Sequence, residues 1–186
     1  MNNAQNSKNE NLGIITDLLK KGSKEDTREY CIVNRTNDPN LRQLYEYLKE
    51  KILNWDNDIY VDSSPGYITF KIDGIDNRNI VACYFYEKYM DLTLPFKPKD
   101  EENILNQWKL KNKQAVHRIF ISSNEKVSIN KTKGHPNPKK IILEINENDN
   151  EETYYKFKKE NGDEIPINHI INFIKQNYNK LIQKFQ

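Results

Sequence analysis

Four short segments between residues 59 and 96 have the pattern of β-strands, and they constrain the fold more than any other feature. In Tyr67–Ile72 every second side chain is apolar, which is the two-residue period of a half-buried strand. Ile59–Asp62 precedes this segment across Ser-Ser-Pro-Gly, and Asn79–Tyr86 and Tyr89–Phe96 follow it. Pairing segments so close in sequence costs little loop-closure entropy. The block therefore predicts an antiparallel meander of about four strands.

Amphipathic helices are predicted on both sides of this block. Asp38 is a suitable N-cap, and Pro39 fits the first helical position, where its missing N–H costs nothing. An apolar face at 3.6-residue spacing then continues to Trp55. Pro166 opens a second helix with an apolar stripe from Ile167 to Phe185. We expect an α+β fold, with an antiparallel sheet of four to six strands and helices packed mainly on one face.

Local patterns predict further elements and a division of the chain. These elements are a short amphipathic helix at 12–21, a helix at 101–112 capped by Asp100, a strand at 115–122, and a hairpin of 141–145 with 154–158. Residues 1–25 are polar and predict a flexible tail that contains the first of these helices. Residues 26–186 are predicted to form a single domain with a basic insertion at 103–140.

The segment 103–140 concentrates the positive charge of the chain. It has nine cations and one acid, Glu125, so its formal charge is +8 while the rest of this +2 chain sums to −6. A one-sided positive field attracts an anionic partner, most often nucleic acid. A solvated basic face is the competing interpretation, because lysine lacks the fork of arginine for bidentate phosphate contacts. The residues predicted to contact phosphates are Lys109, Lys111, Lys113, Arg118, Lys126, Lys131, Lys133, Lys139 and Lys140.

Tyrosines are frequent in the predicted meander. Tyr84, Phe85 and Tyr86 occupy successive positions, so whichever face of the strand is buried, the other presents a ring. We expect an aromatic patch formed by Tyr67, Tyr84 and Tyr86, with Tyr60 and Tyr89 as further candidates. Such a patch would stack nucleic-acid bases or recognise a protein. The competing interpretation is that these rings pack in the core.

The sequence has no recognisable catalytic, metal-binding or cofactor-binding motif. His117, His135 and His169 are isolated, and the chain has no Cys-x-x-Cys pair and no glycine-rich phosphate loop. No acid is followed two positions later by lysine, as a restriction-type metal site requires. We therefore predict a non-enzymatic protein without a cofactor. A pocket that gathers Glu46, Asp62, Lys71 and His117 would indicate an enzyme instead.

Composition also bears on location. No apolar run approaches the length of roughly 20 residues that spans a bilayer, the first residues lack an apolar signal core, and two cysteines are too few for a disulfide framework. These features predict a cytoplasmic protein without a membrane partner.

Part of the chain resembles an uncharacterised prokaryotic α+β domain family that often lies C-terminal to restriction-endonuclease-like domains. The segments Leu41–Leu53 and Gly66–Lys71 carry the resemblance, which covers about residues 40–96 and 164–182. The chain departs from the family at Ala82, where the family tends to have Asp. The resemblance implies an α+β fold and a setting near restriction or phage-defence systems, but no activity.

Together these patterns predict a binding module for an anionic macromolecule. Nucleic acid is the leading candidate, and an accessory role in restriction or phage defence is the expected setting. The alternative is a protein–protein interaction domain, such as an inhibitor or subunit of a defence or toxin complex, which would use the helix at 12–21 and the tyrosine-rich sheet. The sequence does not indicate an oligomeric state.

Overall fold

A computed structural model describes residues 24–75, 78–96, 104–109, 115–129, 138–146 and 154–185. These residues form three helices: α1 (Lys24–Val33), α2 (Pro39–Leu53) and α3 (Ile167–Phe185). They also form nine strands: β1 (Ile59–Ser64), β2 (Tyr67–Ile72), β3 (Val81–Phe85), β4 (Met90–Leu94), β5 (Asn106–Lys109), β6 (Ala115–Ser122), β7 (Lys140–Ile145), β8 (Tyr155–Lys159) and β9 (Glu164–Pro166).

All nine strands belong to one sheet. The strand order is β1-β2-β3-β4-β6-β7-β8-β9, and β5 pairs with β6 outside this path. Every pair is antiparallel except β6 with β7, which is parallel. The α+β class is confirmed and the sheet is mostly antiparallel, but its nine strands exceed the expected four to six. The helix predicted at 101–112 is also wrong, because Asn106–Lys109 form β5 against β6.

The helices cover one face of the sheet. Alternate strand residues such as Phe70, Leu92 and Ile119 join Leu44 of α2 and Phe173 of α3 in one apolar core. Buried residues at the intervening positions, such as Ala82 and Phe120, are not part of that core. Because successive strand side chains point to opposite faces, the sheet has a helix-covered face and a second face with a different composition.

Helix α2 begins as the sequence predicts. Asp38 has an extended backbone (φ −92°, ψ 108°), and its Oδ1 accepts a hydrogen bond of 3.0 Å from the Asn40 N–H. Pro39 occupies the first turn. Helix α1 precedes it and was not predicted, whereas the predicted helix at 12–21 lies outside the described residues. The division into a tail and one domain stays a prediction.

Strand β6 receives two partners along one edge. Residues 117–121 pair with β4 on one side, while 115–118 pair with β5 and 120–122 pair with β7 on the other. Asn106 connects the two partners, because its Nδ2 donates to the Arg118 carbonyl (3.2 Å) and the Lys139 carbonyl (3.0 Å). The Lys139 N–H donates back to Asn106 Oδ1 at 2.7 Å. This side chain therefore closes the seam between β5 and β7.

We predict that Asn106→Ala destabilises the protein by about 1–2 kcal/mol, because the three hydrogen bonds at the seam are lost. The measurement is the urea midpoint of unfolding with an unchanged m-value. Gln107→Ala on the same strand is the matched control, since Gln107 is exposed, and it should change stability by less than about 0.5 kcal/mol. Equal losses in the two variants would contradict the bridging role.

Candidate functional site

An ion pair lies at the centre of the second face of the sheet. Strand register places Asp91 opposite Phe120 and Thr93 opposite Arg118, so these four side chains share one face. Asp91 is fully buried, and its carboxylate pairs with the Arg118 guanidinium, whose side chain is only 17% exposed. The Thr93 hydroxyl donates to Asp91 Oδ1 at 3.4 Å. The second face is therefore organised around a buried charge pair.

Aromatic rings surround the cation of this pair. The Arg118 Cζ lies 4.5 Å from the ring centroid of Trp108, 5.0 Å from that of Phe120 and 5.9 Å from that of Tyr84. These distances are in the range of cation–π attraction, which strengthens when the cation is desolvated. Arg118 is thus held by a carboxylate and by ring faces. It is the single arginine of the set that was predicted to contact phosphates.

The rings continue on both sides of Arg118 as one row, which we call the aromatic row. It comprises Tyr67, Tyr84, Trp108, Phe120, Tyr89 and Tyr86. Tyr67 and Tyr84 have ring centroids 5.1 Å apart, and Trp108 and Phe120 are 5.9 Å apart. Phe120 meets Tyr89 at 6.2 Å, and Tyr89 stacks on Tyr86 at 4.4 Å with 16° between the ring planes.

The three tyrosines predicted as an aromatic patch all belong to this row, at its two ends. Tyr86 is 38% exposed, and Tyr67 and Tyr84 are half-buried. Burial raises the pKa of Tyr84 and of Tyr89, so both hydroxyls stay protonated and uncharged at neutral pH. The sequence interpretation missed Trp108 and Phe120. Trp108 was assigned to a helix, and Asn-Gln-Trp-Lys carries no apolar alternation that would have marked strand β5.

The turn between β3 and β4 is held in place at the Tyr86 end of the row. Tyr86 N–H donates to the Tyr89 carbonyl at 3.0 Å and closes the turn. The Glu87 carbonyl accepts from the Thr36 hydroxyl (3.2 Å) and from the backbone between α1 and α2, and the Lys88 carbonyl accepts from Ser122 Oγ (2.9 Å). The turn that carries the stacked rings of Tyr86 and Tyr89 is therefore held by hydrogen bonds from the α1–α2 connection and from β6.

Among the described residues, Lys126, Lys139 and Lys140 of the predicted basic set line one depression, whereas Arg118 lies apart from them in its ion pair with Asp91. Lys126 and Lys139 are exposed. Lys140 is buried, and its Nζ donates to the carbonyls of Glu125 (2.6 Å) and Val127 (2.8 Å). Burial lowers the pKa of Lys140 from its ordinary value. Lys109 belongs to β5, while four members of the set lie outside the described residues: Lys111, Lys113, Lys131 and Lys133.

The side chains named for an enzyme are dispersed. Lys71 pairs with Asp62 across the β1–β2 hairpin. His117 is buried on β6, three positions from Phe120, so it lies on the opposite face of the sheet, towards the helices. Glu46 lies on α2 in a groove shared with Lys49, and burial raises its pKa. In the part of the chain that the structure describes, no three His, Cys, Asp or Glu side chains come together so as to hold a metal ion.

Two findings complete the description of the chain. None of the helices in the described ranges is both long enough and apolar enough to cross a membrane. Comparison with known protein families, with curated proteins and with solved structures finds no match. The resemblance to a prokaryotic domain family therefore stays a prediction.

We predict that Arg118→Met destabilises the protein by about 3–5 kcal/mol, because it leaves the Asp91 carboxylate buried without an opposite charge. Asp91→Leu should cost less, since the Arg118 side chain retains some access to water. The double variant, which replaces both charges with apolar side chains, should recover most of the loss. The measurement is urea unfolding of the three variants.

The partly exposed pair of Lys71 and Asp62 provides the control. Its side chains are 25% and 33% exposed, so Lys71→Met should change stability by less than about 1 kcal/mol. Losses that simply add in the Asp91→Leu/Arg118→Met double variant would contradict a coupled buried pair.

Proposed function

We propose that the protein binds single-stranded nucleic acid by stacking bases against the aromatic row. The observation that carries this proposal is a set of rings on the sheet face opposite the helices, in which the Tyr67–Tyr84 pair and the Trp108–Phe120–Tyr89–Tyr86 series are joined through the Arg118 guanidinium. Base–aromatic stacking contributes about 1–3 kcal/mol per base and tolerates any sequence, because every base has a π-face. Phe120 is buried and supports its neighbours, so bases would stack on the partly exposed rings on either side of it.

The charge of the surrounding chain supports an anionic occupant. Strands β5 and β6, which supply Trp108, Arg118 and Phe120, lie inside the +8 segment 103–140. Cations next to a stacking surface are the usual companions of single-strand binding, since they neutralise the backbone while the rings hold the bases. In a duplex the bases are already stacked on each other, so the rings would gain little from it. We therefore expect a preference for single strands.

Arg118 has an indirect part in this proposal. Its guanidinium is engaged by Asp91 and by three rings, so its contribution is to fix the positions of Tyr84 and Trp108. Phosphate contacts would come from exposed lysines near the row, such as Lys126. With the family resemblance, the proposal extends to an accessory role beside restriction or phage-defence proteins.

The first test is a fluorescence-anisotropy titration with labelled single- and double-stranded oligonucleotides at about 50 and 200 mM salt. Saturable binding of single strands that weakens with salt, and weaker binding of duplexes, is the expected result. Absence of binding at the lower salt concentration would overturn the proposal. A protein partner would then be the leading candidate, since Tyr, Trp and Arg are also the residues enriched at the centres of protein interfaces.

We predict that Tyr86→Ala weakens single-strand binding about 5- to 150-fold, which corresponds to the loss of one stacked base. Tyr86→Trp should retain binding because it keeps a π-face. Phe185→Ala is the matched control, since Phe185 is a 50% exposed ring at the end of α3 and should not affect affinity. An unchanged affinity of Tyr86→Ala in the same titration would argue against stacking at this end of the row.

A further inference from the structure

The aromatic row ends at Tyr86, beside a depression that we call the end pocket. Tyr89 lies between Phe120 and Tyr86, and Tyr86 follows it as a 38% exposed ring. The end pocket has a volume of about 620 Å³, and Tyr86, Tyr89, Glu87 and Asn124 are among the residues that line it. Ligand sites typically have volumes of about 300–1,000 Å³. A base that continues the stack beyond Tyr86 would therefore have one edge at a depression of this size.

The two walls of the end pocket are joined by hydrogen bonds. One wall is the turn between β3 and β4, and the other is the loop after β6. Ser122 Oγ donates to the Lys88 carbonyl at 2.9 Å and accepts from the Asn124 N–H at 3.1 Å, so it connects the walls. Asn124 Oδ1 accepts in turn from the Lys126 N–H at 2.9 Å. The end pocket is therefore formed by the fold itself, as ligand sites usually are.

Two polar side chains of the end pocket are available to a ligand. The Glu87 carbonyl accepts from the Thr36 hydroxyl (3.2 Å) and the Asn37 N–H (3.0 Å), which leaves the exposed side chain of Glu87 to line the pocket. Within the described residues, the Glu87 carboxylate has no ion pair and no hydrogen bond, and Asn124 Nδ2 has no acceptor. The pocket thus offers a carboxylate acceptor and an amide donor beside an exposed ring.

This pair of groups matches one base better than the others. In a single strand the Watson–Crick edge of each base is open to hydrogen bonding, and a carboxylate accepts two parallel bonds through its two oxygens. Guanine presents two adjacent donors at this edge, N1–H and the N2 amino group, next to the acceptor O6. Adenine, cytosine and thymine each present a single donor group there. Guanine is therefore the base whose edge is complementary to a carboxylate that lies beside an amide donor.

We infer that the end pocket selects guanine. The base stacks on Tyr86, the Glu87 carboxylate accepts from N1–H and from the N2 amino group, and Asn124 Nδ2 donates to O6. This inference rests on the proposed function, and it adds base selectivity at one end of a surface that otherwise tolerates any sequence. It requires no excess of positive charge around the pocket, because the negative charge of Glu87 is itself the recognition element.

The experiment measures the affinity of the wild-type protein for oligothymidines of equal length in which one thymine is replaced. One guanine should raise the affinity about 5-fold or more over the all-thymine strand. Hypoxanthine, the base of inosine, lacks the N2 amino group and should lose most of this gain, because one donor to the carboxylate is missing. Adenine, a purine with a comparable stacking surface, shows how much of the gain is due to stacking alone.

Glu87→Gln tests the assigned residue. An amide presents one acceptor instead of two, so this variant should bind the guanine and hypoxanthine strands equally while it retains affinity for oligothymidine. Glu125→Gln is the matched control. It removes the same charge from an exposed position of the neighbouring loop and should keep the wild-type preference for guanine.

The outcomes separate the end pocket from the proposed function. If the wild type binds no oligonucleotide, the proposed function fails and this inference fails with it. If the wild type binds oligothymidine and Tyr86→Ala weakens binding, but guanine, hypoxanthine and adenine strands bind equally, the selectivity is overturned while stacking on the row stands. A guanine preference that persists in Glu87→Gln, or a gain in affinity by the same factor for every strand, would also overturn the role of Glu87.

Discussion

The buried pair of Arg118 and Asp91 is the interaction on which the second face of the sheet depends. A carboxylate that is fully removed from water is costly unless an opposite charge and hydrogen bonds compensate it. Asp91 meets this condition through Arg118 and Thr93, and the rings of Trp108, Phe120 and Tyr84 complete the surroundings of the cation. The pair thereby ties β4 to β6 and fixes where the aromatic side chains can lie.

The elements that sequence reasoning predicted correctly are those with a local physical cause. Asp38 caps α2 through its own side chain, and the Tyr67–Ile72 alternation places Ile68, Phe70 and Ile72 in the helix-covered core. Strand β5 was missed because Ile104, Leu105 and Trp108 also fit a helical spacing, and pairing with β6 decided the outcome. The parallel pairing of β6 with β7 depends on where the chain returns after residue 129. Local patterns do not contain that information.

The candidate site was predictable in composition but not in arrangement. Tyr67, Tyr84 and Tyr86 were expected to form a patch, and each has a ring partner on the second face or at its end. A count of charges could not reveal that Arg118 and Lys140 are engaged inside the protein, one by a carboxylate and the other by carbonyl oxygens. Formal charge can be read from a sequence, whereas the partner of each charge follows only from the fold.

At Asn106 the edge of β6 changes partner, from β5 to β7. Strand β5 has four residues and lies along the first part, while β7 continues along the second and carries the sheet onward to β8. Short elements with few hydrogen bonds open locally at a lower free energy than the whole domain unfolds. Opening of β5 alone would withdraw Trp108 from the guanidinium while β4, β6 and β7 remain paired. The access of solvent to the Arg118 guanidinium would then depend on local opening of β5 and not on unfolding of the whole domain.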